Sequence, residues 1–302
     1  MPVDGKSGDS KGSAAAGKQQ EHLGNLAAGL YLVATPIGHA RDVSLRALDV
    51  LKSADLIAAE DTRVTAKLFA IHGIARPLIP YNDHNGASVR PGLLEKLKAG
   101  ARIALVSDAG TPLVSDPGFK LVREALAAGI AIHAVPGASA VLAGLTLSGL
   151  PSDRFLFAGF LPSRAGERER ALGELRAVPA TLIFFESGPR LGESLAAMTE
   201  VLGERDAVVA REMTKLHQEV RRGSLKDLAA HYAKAGAPKG EVTLLVGPPR
   251  QAEADLSRID GALDSALAFM PLKPASEMIA ALTGVPRRQV YDRGLDKKNA
   301  RS

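Results

Sequence analysis

From Leu30 the chain runs as short apolar stretches separated by segments whose apolar residues recur at helical spacing: "LYLVAT", "SLRALDVLKSA", "DLIAAE", "TRVTAKLFAIHG", "PLIPY", "ASVRPGLLEKLKAG", "RIALVS", "FKLVREALAAG" and "IAIHAV". Continuous apolar runs of strand length suit a parallel sheet, because helices cover both of its faces. The alternation therefore predicts an α/β domain over residues 29–137. A second set of runs, "RFLFAGFLP", "ATLIFFES", "DAVVAREMT", "QEVRRGS" and "EVTLLVGPP", is more widely spaced and richer in phenylalanine. "QEVRRGS" alternates as a half-exposed strand does, so a mixed sheet is expected in a second α/β domain, residues 138–248. Two such domains leave a cleft between them, the usual place for a ligand.

The flanks read differently. Residues 249–302 carry two helical patterns joined by "TGVP", a helix, glycine turn and helix with helix-turn-helix spacing. A helical hairpin packed on the body has the same pattern and needs no nucleic acid. Residues 1–28 mix lysines with acids, lack the apolar stretch of a secretory signal, and read as a disordered tail. Gly12, Gly17 and Lys18 have Walker A spacing there, but Gln19 stands where a Ser or Thr would hold magnesium, and no strand precedes them. The longest apolar stretch, "IAIHAVPGASAVLAGLTLSGL", is broken by His133, Pro136 and glycines, and suits strand, loop and helix rather than a membrane span. With no cysteine, disulfides, thiolate metal sites and cysteine nucleophiles are excluded, and the expected location is the cytoplasm. A net charge of +5, from 38 basic and 33 acidic residues, permits a nucleic-acid partner without requiring one.

Gly- and Pro-rich loops follow the strands at "TPIG" (35–38), "SDAGTPLVSDPG" (107–118) and "PGASA" (136–140). Ligands of open α/β sheets sit beyond the carboxyl ends of strands, so these loops suggest one site; taken singly, each is also an ordinary tight turn. A phosphate loop offers backbone amides and usually a lysine, whereas Asp108 and Asp116 would repel a polyanion. No G-x-G-x-x-G is present either. The loop better suits a ligand that is neutral or cationic where it meets the carboxylates. S-adenosylmethionine, with a sulfonium, an ammonium and no phosphate, fits. "AEDTR" (59–63) and "AREMTK" (210–215) place Glu60, Asp61 and Arg63, and Arg211, Glu212 and Lys215, at further strand ends. Such charges mark a polar site or structural ion pairs.

"LYLVATPIGHARDVSLRALDVLKSADLIAAEDTR", "SDAGTPLVSDPG", "PGASA", "FAGFLP", "AREMTK" and "KGE", in this order and spacing, resemble the ribosomal RNA small-subunit methyltransferase I family, of the tetrapyrrole methylase fold class, over residues 29–248. The resemblance implies two α/β domains with an interdomain cleft and a small C-terminal helical, helix-turn-helix-like extension. It implies 2′-O-methylation of a decoding-centre cytidine of 16S rRNA within the small ribosomal subunit, S-adenosyl-L-methionine bound between the domains, and a homodimer. Carried over residue by residue, the cofactor contacts fall on Pro36, Asp108, Ala109, Gly110, Leu113, Val114, Asp116, Ser139, Ala140, Phe185, Ala210 and Gly240. "FFESGPRL" departs from the Ser-Pro-His-Arg of many relatives: Gly188, Pro189 and Arg190 follow Ser187, so no histidine acts at that point.

Methyl transfer to a ribose hydroxyl needs alignment and help with a weakly acidic proton, and it requires no metal. Asp61, Glu212 and Lys215 are the candidates for that help, and Arg63, Arg164, Arg190 and Arg211 for contacts to RNA. Two other functions fit parts of the pattern: a methyltransferase of the same fold acting on a tetrapyrrole or other small molecule, and a nucleic-acid-binding regulator using the C-terminal helices.

Overall fold

The computed structural model describes residues 26–249 and 256–299. Of the expected tail over residues 1–28, the part up to residue 25, with its Walker-like glycines, lies outside the described residues, while Leu26 packs against the core of the first sheet. The first sheet joins β1 (Gly29–Val33), β2 (Leu56–Ala59), β3 (Leu78–Pro80), β4 (Arg102–Val106) and β5 (Ile132–Val135) in the order β3-β2-β4-β1-β5, with every pair parallel. Its helices are α1 (Leu45–Ser53), α2 (Thr62–His72), α3 (Gly86–Lys98) and α4 (Phe119–Ala127). Successive strand residues face opposite sides. Ala104 and Val106 of β4 pack with Leu51 and Phe69 of α1 and α2. Ile103 and Leu105 pack with Leu93 and Leu121 of α3 and α4. Both faces are thus buried, which is why these strands read as unbroken apolar runs.

The strand order positions the site. From β1 the chain crosses β4 to reach β2, whereas from β4 it crosses β1 to reach β5. The connections leave the neighbouring strands β1 and β4 in opposite directions, so a crevice opens at their carboxyl ends.

After α5 (Ala140–Ser148) the second sheet takes β6 (Phe155–Phe160), β7 (Thr181–Ser187), β8 (Asp206–Arg211), β9 (Glu219–Ser224) and β10 (Glu241–Val246) in the order β6-β7-β10-β8-β9. It is mixed: β6 and β7 run parallel and the remaining pairs antiparallel. The helices α6 (Ala165–Leu175), α7 (Leu191–Leu202) and α8 (Leu225–Ala235) cover one face through Leu172, Leu195 and Leu228. On the other face Val141 and Leu145 of α5 pack with Ile183, Val208 and Leu245, and Ile37 from the loop after β1 joins the same cluster. That cluster is the apolar joint between the two sheets.

The C-terminal region holds three helices where the sequence reading expected two: α9 (Leu256–Leu267), α10 (Leu272–Thr283) and α11 (Arg287–Asn299). The unforeseen α9 has its apolar residues at Ile259, Leu263 and Ala266, interspersed with acids and Gly261, so its stripe is narrow. With Ala275, Ile279, Val285 and Val290 they form a core of their own. Arg293–Asp260 (2.7 Å) and Lys297–Asp264 (2.6 Å) fasten α11 to α9. Among the described residues, no helix is long and apolar enough to cross a membrane.

Candidate active site

Three loops at the carboxyl ends of β1, β4 and β5 are cross-linked. Thr35 and Gly110 exchange backbone hydrogen bonds of 2.9 and 3.0 Å, and the Thr111 hydroxyl donates to the Ala138 carbonyl at 3.1 Å. The loop after β4 is sharply bent: Leu113 (φ 73°) and Ser115 (φ 65°) occupy the left-handed region, as does Gly118, whose missing Cβ would lie 2.7 Å from Leu105 Cδ2. Side-chain-bearing residues in that region cost of order 1–3 kcal/mol each and persist where the surroundings hold them, commonly at functional sites.

Across from these loops stands the edge of the second sheet. Antiparallel register sets Glu241 beside Ser187, Val242 beside Glu186 and Thr243 beside Phe185. With Phe160 and Met213 they close a cavity of about 400 Å³ between the sheets, within the size range of small-molecule sites. Asp108, Ala109, Gly110, Val114, Asp116, Ser139, Ala140, Phe185 and Gly240 all line it. The other three candidates stand behind the wall: Pro36 between Thr35 and the lining Ile37, Leu113 packed on the core beneath α4, and Ala210 buried beside its strand partner Thr243.

The acidic side of the cavity resists ionisation. Burial, then repulsion from Glu60 and Asp108, pushes the Asp116 carboxyl up to about 6. Glu60 and Asp108 are likewise pushed up, each chiefly by burial. Backbone bonds fix them: Asp108 Oδ1 accepts from the Asp61 amide (2.9 Å), and Glu60 Oε2 from the Asp108 amide (3.3 Å). Carboxylates gathered in this way favour a ligand that brings positive charge.

Asp61, Glu212 and Lys215 are all held in their charged forms. Asp61 caps α2 through the Arg63 amide (2.8 Å) and pairs with the Arg63 guanidinium, whose hydrogen bonds hold it near 2. Lys215 Nζ donates to Glu212 Oε1 and Glu241 Oε2, both at 2.9 Å. Burial alone would lower the ammonium, but those two carboxylates outweigh it and raise it. The Glu241 amide and Lys215 in turn hold Glu212 down. Only glycine at position 240 admits this arrangement, because a Cβ there would lie 2.4 Å from the Glu212 carboxyl carbon.

The arginines divide into two sets. Arg63 and Arg164 are exposed and paired with Asp61 and Glu167. Arg190 donates to the Leu161 carbonyl (2.6 Å), and Arg211 joins Glu219 to the Lys239 carbonyl, so both hold the walls of the site. Glu186 is buried and accepts from Ser194 Oγ (2.5 Å) and the Ser187 amide (2.9 Å). Next to it, a Cβ on Gly188 would lie 1.7 Å from the Pro238 carbonyl oxygen. Gly188→Ala must push the segment before β10 outward, and overpacking of this kind costs about 1–3 kcal/mol. Urea denaturation should show that loss, and an unchanged midpoint would mean that the segment yields freely.

Residues 29–229 match the family model of Tetrapyrrole (Corrin/Porphyrin) Methylases, and residues 253–298 that of the RsmI C-terminal HTH domain. The chain is 52% identical to the ribosomal RNA small subunit methyltransferase I of Mesorhizobium japonicum over 271 residues, covering 89% of this chain and 92% of that one. The protein of the same name from Escherichia coli O157:H7 is 43% identical over 285 residues, with 93% and 99% covered. The chain belongs to the ribosomal RNA small subunit methyltransferase I family. Among solved structures, this methyltransferase resembles uroporphyrin-III C-methyltransferase from Thermus thermophilus complexed with S-adenosylhomocysteine (20% identity, TM-score 0.52, covering 76% of this chain and 99% of that one). It also resembles a diphthine synthase (19%, TM-score 0.58, 72% and 89%). At such identities the likeness is one of fold.

Several wall residues of the methyltransferase escaped the sequence reading as contacts: Ile37, Phe160, Met213, Val242 and Thr243. Each is apolar or β-branched and reads as core; only the pairing of β7 with β10 brings the last two to the cavity. Glu241 stands within the "KGE" signature, which marked its neighbourhood but gave it no role.

Proposed function

We propose that the chain is an S-adenosyl-L-methionine-dependent methyltransferase acting on the ribose 2′-hydroxyl of a decoding-centre cytidine, position 1402 in the usual numbering, of 16S rRNA within the small ribosomal subunit. The name carried by near-full-length relatives supports small-subunit ribosomal RNA as the substrate, and the cytidine and its 2′-hydroxyl rest on the family resemblance of the motifs. The choice of donor rests on one observation, the group of carboxylates with raised affinity for protons in the wall of an otherwise largely apolar cavity.

The residues present fit that donor. Asp108, Asp116 and Glu60 offer negative charge to cationic groups, Gly110 and Gly240 leave room for close backbone approach, and Ser139 and Ala140 present the amino end of α5. Phe185 and Val114 supply apolar faces, while Pro36, Leu113 and Ala210 support the wall from behind. When bound, the donor supplies an electrophilic methyl group on sulfur and leaves as a neutral thioether. What remains for the protein is alignment, which contributes on the order of 7–11 kcal/mol, and charge beside the forming alkoxide. Lys215, kept cationic by Glu212 and Glu241, supplies that charge. Asp61, held as its anion, is a weak proton acceptor and acts by orienting Arg63. Arg63 and Arg164 reach towards phosphates, while Arg190 and Arg211 shape the walls beside the RNA.

The deciding experiment incubates tritiated S-adenosylmethionine with small subunits, free 16S rRNA and a porphyrinogen in parallel. Label in small subunits, recovered in an alkali-resistant dinucleotide, is expected; label only in the porphyrinogen overturns the reading. The reading also takes the protein to be a cytoplasmic homodimer, and sedimentation at micromolar concentration checks the dimer.

Asp116 gives the reading a pH dependence. A cation prefers the ionised carboxylate, so donor affinity should rise as pH climbs through about 6 and level off above it. Without ligand the sign is opposite. The folded chain binds more protons at Asp116 than the unfolded one between 3.8 and about 6. Its contribution to stability is therefore full below that window and lost as pH rises through it. Calorimetric titration from pH 5 to 8 measures the first effect, and a Asp116→Asn variant that keeps the slope would assign it to another group.

A further inference from the structure

The turn between β8 and β9 combines backbone strain, tight anchoring and one exposed aliphatic side chain. Glu212 (φ 49°) and Thr214 (φ 63°) occupy the left-handed region. Both sheets hold the turn in place. The Thr214 amide donates to Gln218 Oε1 (2.8 Å), Thr214 Oγ1 accepts from the His39 amide (3.0 Å), and Lys215 is clamped between Glu212 and Glu241. The loop after β1 lies so close that a Cβ on Gly38 would meet Lys215 Cγ and Thr214 Oγ1, each at 2.6 Å. At the tip of this rigid turn Leu216 is 93% exposed, while Met213, three residues earlier, lines the cavity.

An anchored leucine with its side chain in water gains nothing from folding, because its apolar surface stays hydrated. Its surroundings indicate what covers it. The chain segments against this turn bring exposed His39, Arg41, Asp42, Lys239 and Glu241, and His217 follows Leu216 directly. A lone apolar tip among imidazole and charged side chains of both signs offers too little apolar surface for a protein partner, which would need a wider patch, whereas a single nucleobase matches its size. Sequence-specific RNA recognition relies on splayed, unstacked bases, and apolar side chains such as leucine serve as wedges between stacked bases in nucleic acids.

We propose that Leu216 is a positioning residue for the RNA: it inserts beside the target nucleotide at the mouth of the cavity and holds it unstacked, so that its ribose reaches the donor. This rests on the rRNA reading above.

The test compares wild type, Leu216→Ser and Leu216→Met in methylation of small subunits, with donor affinity, melting temperature and sedimentation measured on each. Leu216→Ser is expected to lower kcat/KM at least tenfold with donor affinity, melting temperature and sedimentation unchanged, and Leu216→Met to stay within about threefold of wild type. A wild-type rate from Leu216→Ser overturns the wedge and leaves the rRNA reading intact, as does an equal loss in both variants. A changed oligomeric state in Leu216→Ser also overturns it, by making Leu216 a contact between copies of the chain. Failure of the wild-type protein to label small subunits overturns both readings together.

Discussion

Arg205→Ala should cost about 3–5 kcal/mol of stability, among the larger effects available to a single substitution here. Arg205 is 1% exposed, and its guanidinium is committed to three carbonyls. Nε donates to Leu202 at the end of α7 (3.3 Å), Nη1 to Gly247 just past β10 (3.4 Å), and Nη2 to Arg176 at the end of α6. Helix carboxyl ends leave carbonyls without partners and carry partial negative charge, so one buried cation satisfies both needs at two helix termini. Burial and the neighbouring Arg176 push the guanidinium below its ordinary pKa, yet arginine remains charged where lysine would readily shed its proton. Alanine removes the donor to three carbonyls, those of Leu202 and Gly247 buried and that of Arg176 partly so, and a buried acceptor left orphaned costs about 1–3 kcal/mol, with relaxation and entering water recovering part. Methionine, close in volume, should fare almost as badly, because the missing donors matter more than the space. Lysine should rescue only in part, since a single ammonium cannot reach three diverging carbonyls. Guanidinium denaturation followed by circular dichroism measures all three variants; a loss under about 1 kcal/mol for alanine would mean that water replaces the guanidinium at little cost.

The first sheet was legible because parallel strands buried on both faces must be continuous apolar runs, and "LYLV" and "IALV" can be little else. The place of the acidic loop was legible from its Gly- and Pro-rich position after an apolar run, and Asp108 and Asp116 both line the cavity. What remained hidden depends on pairing and packing. Nothing in "GEVTLL" says that Val242 and Thr243 lie beside Glu186 and Phe185, because antiparallel register joins segments far apart in sequence. The left-handed backbone at Leu113, Ser115, Glu212 and Thr214 was equally hidden, since none of these residue types announces a positive φ as glycine or asparagine does. The helix α9 was missed because Gly261 and interspersed acids dilute an apolar stripe that becomes evident once Ile279 and Val290 pack against it.

Lys215→Ala should slow methyl transfer by about 10²- to 10³-fold, the usual loss when one preorganised donor to a developing oxyanion is removed. The ammonium is positioned from two directions, by Glu212 on its own turn and by Glu241 at the start of β10, and Glu241 lines the cavity. The two carboxylates take two of the ammonium's three hydrogens and leave the third to donate. The lysine's affinity for its proton is raised by the two carboxylates, so in the role proposed above it serves as a fixed charge rather than as a base. The rate loss should therefore persist at every pH at which the protein is folded, whereas loss of a general base would be partly recovered in alkaline buffer. Donor affinity should change little, because the carboxylates pushed up by burial stand on the opposite loop. Lys215→Arg keeps the charge but must fit a planar guanidinium between Glu212 and Glu241 under the close approach of Gly38, so only partial activity should return. Single-turnover rates from pH 6 to 10, with calorimetric donor binding on the same samples, separate the outcomes. If donor affinity falls as far as the rate, Lys215 works by holding Glu241 in the cavity wall rather than by meeting the forming alkoxide.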